Sequence, residues 1–163
     1  MRLVKFCTFL LIAVLVAPRT SASQTAPVIT QQQIALWDAV IAGNVAKAVD
    51  AIKAGADVNG LDTRKNRAGP NGRRSLNYAA IRNDTIMIEA LLNAGANINL
   101  ANRSGFTPLH HAGEAGSKEA ATLLITKGAN LTLRNMLDQT PEQTATASQH
   151  PAEILHQAMT NSK

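Results

Sequence analysis

The stretch GFTPLHHAGEAGSKEAATLLITKGANLT (105–132) decides the fold, because parts of it recur along the chain at a fixed distance. Sliding the sequence so that Gly72 falls on Gly105 sets GRRSLNYAA (72–80) against GFTPLHHAG (105–113). A second slide of the same size sets QTPEQTA (139–145) against the same Thr-Pro pair. Self-similarity at this fixed period indicates stacked copies of one small unit, which cannot bury its apolar face alone.

One interval between the units is longer than the others. GAN at 95–97 precedes GAN at 128–130 by one such period, whereas the step from GADVN (55–59) to GANIN (95–99) is longer. The extra residues fall within GLDTRKNRAGPNG (60–72), which predicts a loop inserted between two units.

Each unit is predicted to contain two short helices and a loop. Thr107 and Thr140 are the expected N-caps of first helices, because each precedes a Pro, which the first helical position accepts without loss of a hydrogen bond. Asp84 and Ser117 are the expected caps of second helices, and Pro151 is expected to open the last helix.

Apolar residues and glycines complete this pattern. Leu109, Ala112 and Gly113 are predicted to form one packing face of a first helix. The matching apolar positions of the second helix are Ala121, Leu124 and Ile125. The second helices are expected to stop where a glycine turns the chain into a left-handed conformation, at Gly55, Gly95 and Gly128.

These residues resemble the ankyrin repeat, whose motif is kept at Gly105, Thr107, Pro108, Leu109, His110 and Gly128. The resemblance covers residues 31–160 and implies an all-α ankyrin-repeat solenoid of about four helix-turn-helix units with β-hairpin-like loops. The expected units span about 31–60, 61–100 with the inserted loop, 101–133 and 134–160, and the outer two act as caps. The resemblance also implies that His110 hydrogen-bonds to nearby backbone and ties neighbouring loops together.

Three units depart from the repeat motif. The unit at 72–99 has Arg74-Ser75-Leu76-Asn77 where the family has Thr-Pro-Leu-His, so its first helix is expected to lack the usual hydroxyl cap. The first unit begins with Thr30 and Gln33, a candidate capping box, and Trp37 is expected in its core. The last unit has Glu142 and Gln143 in place of Leu and His, which gives it the polar face of a capping repeat.

The N-terminus has the order of charged, apolar and small residues that is typical of a secretory signal peptide. We expect a signal peptide at 1–22, a linker at 23–30 and export to a bacterial periplasm, with no stable membrane anchor after cleavage. An uncleaved anchor is the alternative, although the apolar run FCTFLLIAVLVA (6–17) is shorter than the ~20 residues that a spanning helix needs. Three Asn-X-Ser/Thr patterns would accept sugars in a eukaryotic host, at Asn83, Asn102 and Asn130.

Cleavage would also remove most of the basic character of the chain. The formal charge of +5 would become +2, with 13 basic against 11 acidic side chains, because Arg2, Lys5 and Arg19 leave. This balance gives no argument for a nucleic-acid partner. Cys7 is the only cysteine, so the mature chain has no disulfide, thiolate metal site or cysteine nucleophile.

The resemblance implies that a protein partner binds the concave face formed by the loops and first helices. The predicted partner-binding residues are Arg73, Tyr78, Ile81, Arg82, Arg103, Ser104, Phe106, His111, Glu114, Met136 and Gln139. Arg73, Arg82, Arg103 and Phe106 are the expected centre, since Arg and aromatic residues are frequent at interfaces. The alternative is that they are ordinary solvated positions.

The inserted loop is basic. Arg64, Lys65, Arg67 and Arg74 are predicted to form a finger that steers an acidic protein or meets anionic lipid head groups. A mobile, solvated loop is the alternative.

Neither catalysis nor metal binding is expected. His110 and His111 are adjacent and point about 100° apart on a helix, so both rings can hardly serve one ion. The chain contains no GxSxG, HExxH, P-loop or dinucleotide-binding motif, and no cofactor is expected.

The sequence therefore favours a non-enzymatic protein-binding module. Exported proteins with such repeats resemble a bacterial group associated with assisting or protecting exported or oxidative-stress enzymes. An inhibitor or immunity protein that blocks a toxin or enzyme is the alternative.

Overall fold

The computed structural model describes residues 29–150 and 152–161. The predicted signal peptide at 1–22, most of the predicted linker at 23–30 and the helix-opening role of Pro151 fall outside these residues. Within the described ranges the chain is mainly helical, and its helices are α1 (Gln31–Ala42), α2 (Val45–Lys53), α3 (Lys65–Ala68), α4 (Ser75–Ile81), α5 (Thr85–Asn93), α6 (Pro108–Ala115), α7 (Lys118–Thr126), α8 (Pro141–Ala147) and α9 (Glu153–Asn161).

The helices form pairs that stack on one another. The pairs are α1 with α2, α4 with α5, α6 with α7, and α8 with α9. First helices pack in the order α1, α4, α6, α8, and second helices in the order α2, α5, α7, α9. This arrangement is the all-α repeat solenoid that the period of the sequence predicts.

The core runs continuously between the two rows of helices. Leu76 and Leu109, which occupy equivalent places in successive units, are buried, as are Leu124 and Trp37. Gly113 allows the close approach of α6 to α8, because a Cβ there would lie 2.8 Å from the backbone oxygen of Pro141. The predicted packing face of the first helix is confirmed.

Two first helices are capped as the sequence predicts. The Thr107 hydroxyl accepts the His110 N–H, and the His110 ring accepts the Thr107 N–H, which completes a capping box. Thr140 and Gln143 form the same reciprocal pair in α8. Arg74 precedes α4 without a side-chain cap, which also agrees with the sequence. The carboxylate of Asp84 caps α5 by accepting the Met87 N–H.

Ser117 and Gln33 do not make the predicted capping bonds, because longer-range contacts take their side chains. The Ser117 hydroxyl donates to the backbone oxygen of Ile81 at 3.1 Å and does not cap α7. Thr30 caps α1, but the Gln33 amide bonds instead to both backbone groups of Asp57, at 2.8 and 3.1 Å. Half of the proposed capping box is therefore absent.

The second helices end at the predicted glycines. Gly55, Gly95 and Gly128 have φ angles of +98°, +89° and +89°, a region in which residues with a Cβ are strained. Each glycine follows its helix by two positions, so the chain reverses there toward the next loop.

The inserted loop is folded. Leu61–Asp62 (β1) pairs antiparallel with Arg73–Arg74 (β2), with Leu61 opposite Arg74 and Asp62 opposite Arg73, and α3 lies between the two strands. Among the described residues this is the only strand pair, so the other expected β-hairpin-like loops are turns without a ladder.

Candidate partner-binding face

The loops between units are held in defined turns by asparagines at equivalent positions of successive units. The Asn102 side-chain oxygen accepts the backbone N–H groups of Ser104 and Phe106, both at 3.0 Å. The Asn135 oxygen accepts those of Leu137 and Gln139, at 2.9 and 3.1 Å. Each turn is therefore fixed from within, by an asparagine to which the sequence analysis assigned no structural role.

Successive loop tips are also joined to one another. The Arg103 N–H donates to the Asn71 oxygen at 3.1 Å, and the Met136 N–H donates to the Ser104 oxygen at 2.9 Å. We call residues 70–71, 103–104 and 136–137 the fingertip row. At its C-terminal end Met136 and Leu137 are 78% and 69% exposed, an unusual exposure for large apolar side chains on a fixed turn.

Buried polar side chains beneath the row tie α4 and α6 to the loop that follows each of them. The Asn77 amide donates to the Phe106 oxygen at 3.3 Å, and His110 Nε2 lies 3.0 Å from the Gln139 oxygen. Since His110 Nδ1 accepts from Thr107, the network assigns the proton of the neutral ring to Nε2. Burial lowers the pKa of His110 and so favours this neutral form. The structure thus contains the loop-tying contact that the resemblance implied.

Five of the predicted partner-binding residues share a small cleft of about 160 Å³ between the inserted loop and α6: Arg73, Ser104, Phe106, His111 and Glu114. The His111 Nδ1 lies 3.1 Å from the Glu114 carboxylate, and this hydrogen bond lowers the pKa of Glu114. The Phe106 ring lies over His111, with 5.3 Å between ring centroids.

Two predicted binding residues are not surface residues. Tyr78 is 7% exposed, and its hydroxyl donates to the Asp62 carboxylate at 3.1 Å. Burial of this phenol raises the pKa of Tyr78. His111 is 4% exposed, under Phe106. The expectation that both lie open on the face is wrong, because the repeat pattern does not show which aromatic rings the inserted loop and Phe106 cover.

The predicted centre of the face is divided. Arg82 is exposed at the C-terminal end of α4 beside Gly43, away from the loops, and Ile81 next to it is half-buried. Arg103 lines a second and larger cleft, of about 610 Å³, which does not include Phe106. We call it the Arg74 cleft, and its lining includes Ile29, Gln33, Trp37, Asp57, Leu61, Arg74 and Arg103.

The expected basic finger is only partly basic at its surface. Arg64 bonds to Asp62 at 2.8 Å and Asp38 at 2.9 Å, and its guanidinium lies 5.3 Å from the Trp37 ring centroid. The hydrogen bond to Asp62 raises the pKa of Arg64. Arg74 donates to backbone oxygens of neighbouring units. The basic finger is therefore smaller than predicted, because Arg64 and Arg74 bond within the fold and only Lys65 and Arg67 of the four are exposed.

Two further features were searched for in the described part of the chain. It contains no group of three or more His, Cys, Asp or Glu side chains arranged to hold a metal ion. No helix in residues 29–150 or 152–161 is long and apolar enough to cross a bilayer.

The stacked helix pairs and the fingertip row define a helical-repeat protein of the protein-interaction class. The family model for ankyrin repeats, in three copies, matches residues 32–135. The chain belongs to the ankyrin-repeat family.

Relatives of known name share the repeats. The chain is 30% identical over 97 residues to the human Notch-regulated ankyrin repeat-containing protein. The matched region covers 60% of this chain and 82% of that protein. It is 41% identical over 61 residues to palmitoyltransferase AKR1 of Saccharomyces cerevisiae, and 32% identical over 92 residues to inversin of Canis lupus familiaris. These matches cover 37% and 56% of this chain, and 8% of either relative. Because so little of the palmitoyltransferase is matched, its activity is not carried over. All three relatives are eukaryotic, and the bacterial, exported character of the chain stays a prediction.

Proposed function

We propose that the chain is a non-enzymatic module that holds a partner protein on the loop side of its repeats and works after export to a bacterial periplasm. The observation that carries this proposal is the fingertip row, in which backbone hydrogen bonds at 3.1 and 2.9 Å fix successive loop tips against each other. A surface fixed before binding loses little conformational entropy when a partner arrives.

The chemistry of the row supports a protein partner. Met136 and Leu137 present apolar side chains, and Arg103 adds an exposed guanidinium. Methionine, aromatic residues and arginine are the residue types enriched at protein interfaces. The N-terminal pattern at 1–22 supports export, and we expect the partner to be an exported enzyme that the chain assists or protects.

Site-specific cross-linking tests the location of the interface. A photo-cross-linking amino acid replaces Leu137 in the full chain, and the same amino acid replaces Ile86 on α5 as a control, because both positions are 69% exposed. We expect one discrete protein adduct from position 137 and none from position 86, in the periplasmic fraction of cells that make the protein. Equal cross-linking at both positions would contradict a specific loop-side interface. An adduct found only in the cytoplasmic fraction would contradict export.

A further inference from the structure

Arg74 performs a task that the repeat motif does not require. It stands where the family has the capping Thr, and its Nε donates to the Ala101 oxygen at 3.0 Å while one terminal nitrogen donates to the Asn59 oxygen. The other terminal nitrogen makes no hydrogen bond to any described residue and is not among the buried unpaired atoms. Arg74 therefore lines its cleft with a guanidinium that is fixed through two nitrogens and has a third that no described residue occupies.

The cleft carries an excess of positive charge. Arg103 lines it as well, and within the described residues its exposed side chain makes no hydrogen bond or ion pair. Among the described residues of the lining, Asp57 is the one carboxylate, and it accepts the Asn59 N–H at 2.8 Å without forming an ion pair with either arginine. Burial lowers the pKa of Arg74, and the charge of the nearby Asp57 carboxylate opposes this shift.

Part of the remaining wall is apolar, and Thr30, Gln33, Asn59 and Thr63 line the rest of it with polar groups. Ile29 is 40% exposed at the rim, Leu61 is half-buried, and the Trp37 indole donates to the Gly60 oxygen at 3.4 Å. A volume of about 610 Å³ is within the range of ligand sites, roughly 300–1,000 Å³. An anion without apolar groups would make no apolar contacts with Ile29 and Leu61.

We propose that the Arg74 cleft binds an acidic side chain of a partner protein, with Arg74 and Arg103 donating to its carboxylate and Ile29 and Leu61 contacting apolar residues beside it. The two guanidinium groups and the Asp57 carboxylate together give the cleft a net charge of +1. A single bound carboxylate neutralises this charge, whereas a phosphate dianion would leave the cleft with a net negative charge. The inference rests on the proposed function, since Arg103 belongs to the fingertip row, and it specifies the chemistry of the partner.

An NMR titration of the full chain with a designed peptide tests this site. The probe is Gly-Leu-Glu-Leu-Gly, acetylated and amidated at its ends, and the control peptide has Gln in place of Glu. We expect the Glu peptide to shift the Trp37 indole N–H resonance saturably and to bind about tenfold more tightly than the Gln peptide, since charge-assisted hydrogen bonds are roughly twice as strong as neutral ones. Equal binding of the two peptides, or no saturable shift, would overturn the proposal.

Matched arginine variants separate the site from general electrostatic attraction. Arg103→Gln removes a guanidinium that the described structure does not use, so the fold should persist, and we expect Kd for the Glu peptide to rise about tenfold, which corresponds to about 1.4 kcal/mol. Arg67→Gln removes the same charge from an exposed position outside the cleft and should change Kd less than about twofold. Equal weakening by both variants would overturn the proposal, as would tighter binding of a phosphoserine peptide.

The outcomes distinguish this inference from the proposed function. If the peptides fail to bind while position 137 still cross-links one protein, the cleft assignment fails and the interaction module stands. If the Glu peptide binds in an Arg103-dependent manner while no loop-side adduct forms, the cleft is confirmed and the proposed interface fails.

Discussion

Leu109→Ala is the perturbation that tests the repeat architecture most directly. Leu109 is 1% exposed in the first turn of α6, which packs against α4 on one side and α8 on the other. Because both neighbours hold the site open, the cavity left by the missing side chain can relax only partly. We expect the free energy of unfolding to fall by about 2–5 kcal/mol, the cost of truncating a buried Leu to Ala. Since domains of this kind are stable by only about 5–15 kcal/mol, this loss is a large fraction of the total.

The measurement is urea denaturation followed by far-ultraviolet circular dichroism, with Trp37 fluorescence as a second probe in the first unit. Leu137→Ala is the matched control, because it removes the same atoms from a side chain that is 69% exposed and should change stability by no more than about 0.5 kcal/mol. Equal losses in the two variants, or a loss in Leu109→Ala well below the range for a buried truncation, would refute the assignment of Leu109 to the core. Non-coincident transitions of the two probes would show that the units unfold separately, and the free energy would then need a repeat-by-repeat analysis.

Three other predictions concern turns, titration and charge. Gly105→Ala should lower the denaturation midpoint more than Gly128→Ala, because both glycines have positive φ but only at 105 would a Cβ meet backbone, at 2.9 Å from the Asn135 Cα. The free energy of unfolding should rise with pH between the lowered pKa of His110 and the unfolded value of about 6.5, because the unfolded state binds more protons in that window. His110→Gln should flatten this slope, and an unchanged slope in the variant would point to another group. Arg64→Ala should cost about 1–3 kcal/mol by leaving a fully buried carboxylate without its cation, whereas Arg67→Ala should be near neutral in the same urea titration.

The helical framework could be predicted because its determinants are local and repeated. Thr107 and Thr140 cap their helices through residues three positions away, and the turn glycines act within their own loops. Sliding the sequence along itself by one unit reveals such signals without any knowledge of tertiary contacts. Ser117 and Gln33 were misassigned because their side chains bond to residues 36 and 24 positions away, which a local pattern does not specify.

The candidate face was harder to predict for the same reason. Arg64 and Tyr78 were expected at the surface, but both meet Asp62, a buried carboxylate that the fold of the inserted loop brings between them. In the sequence, the one sign that these two residues are not at the surface is Asp62 itself, the single acidic residue of a basic loop. The turn asparagines, Asn102 and Asn135, carried a clearer signal, since they recur at the period of the repeat and each precedes a tip of the fingertip row.

The second unit shows how an insertion and a departure from the repeat motif depend on each other. Without a Thr cap, α4 begins at Ser75, whose hydroxyl is buried without a hydrogen-bond partner among the described residues, at a cost of about 1–3 kcal/mol. Arg74 stands at the position of the capping Thr without capping α4. Its guanidinium instead joins the Asn59 oxygen of the preceding loop to the Ala101 oxygen of the following one. A Thr side chain is too short to make that bridge, and a loop of ordinary length lacks the strand pair that holds Arg74 opposite Leu61. The local cap is thus exchanged for a contact across three units, and the same guanidinium is placed at the cleft where we expect an acidic partner to bind.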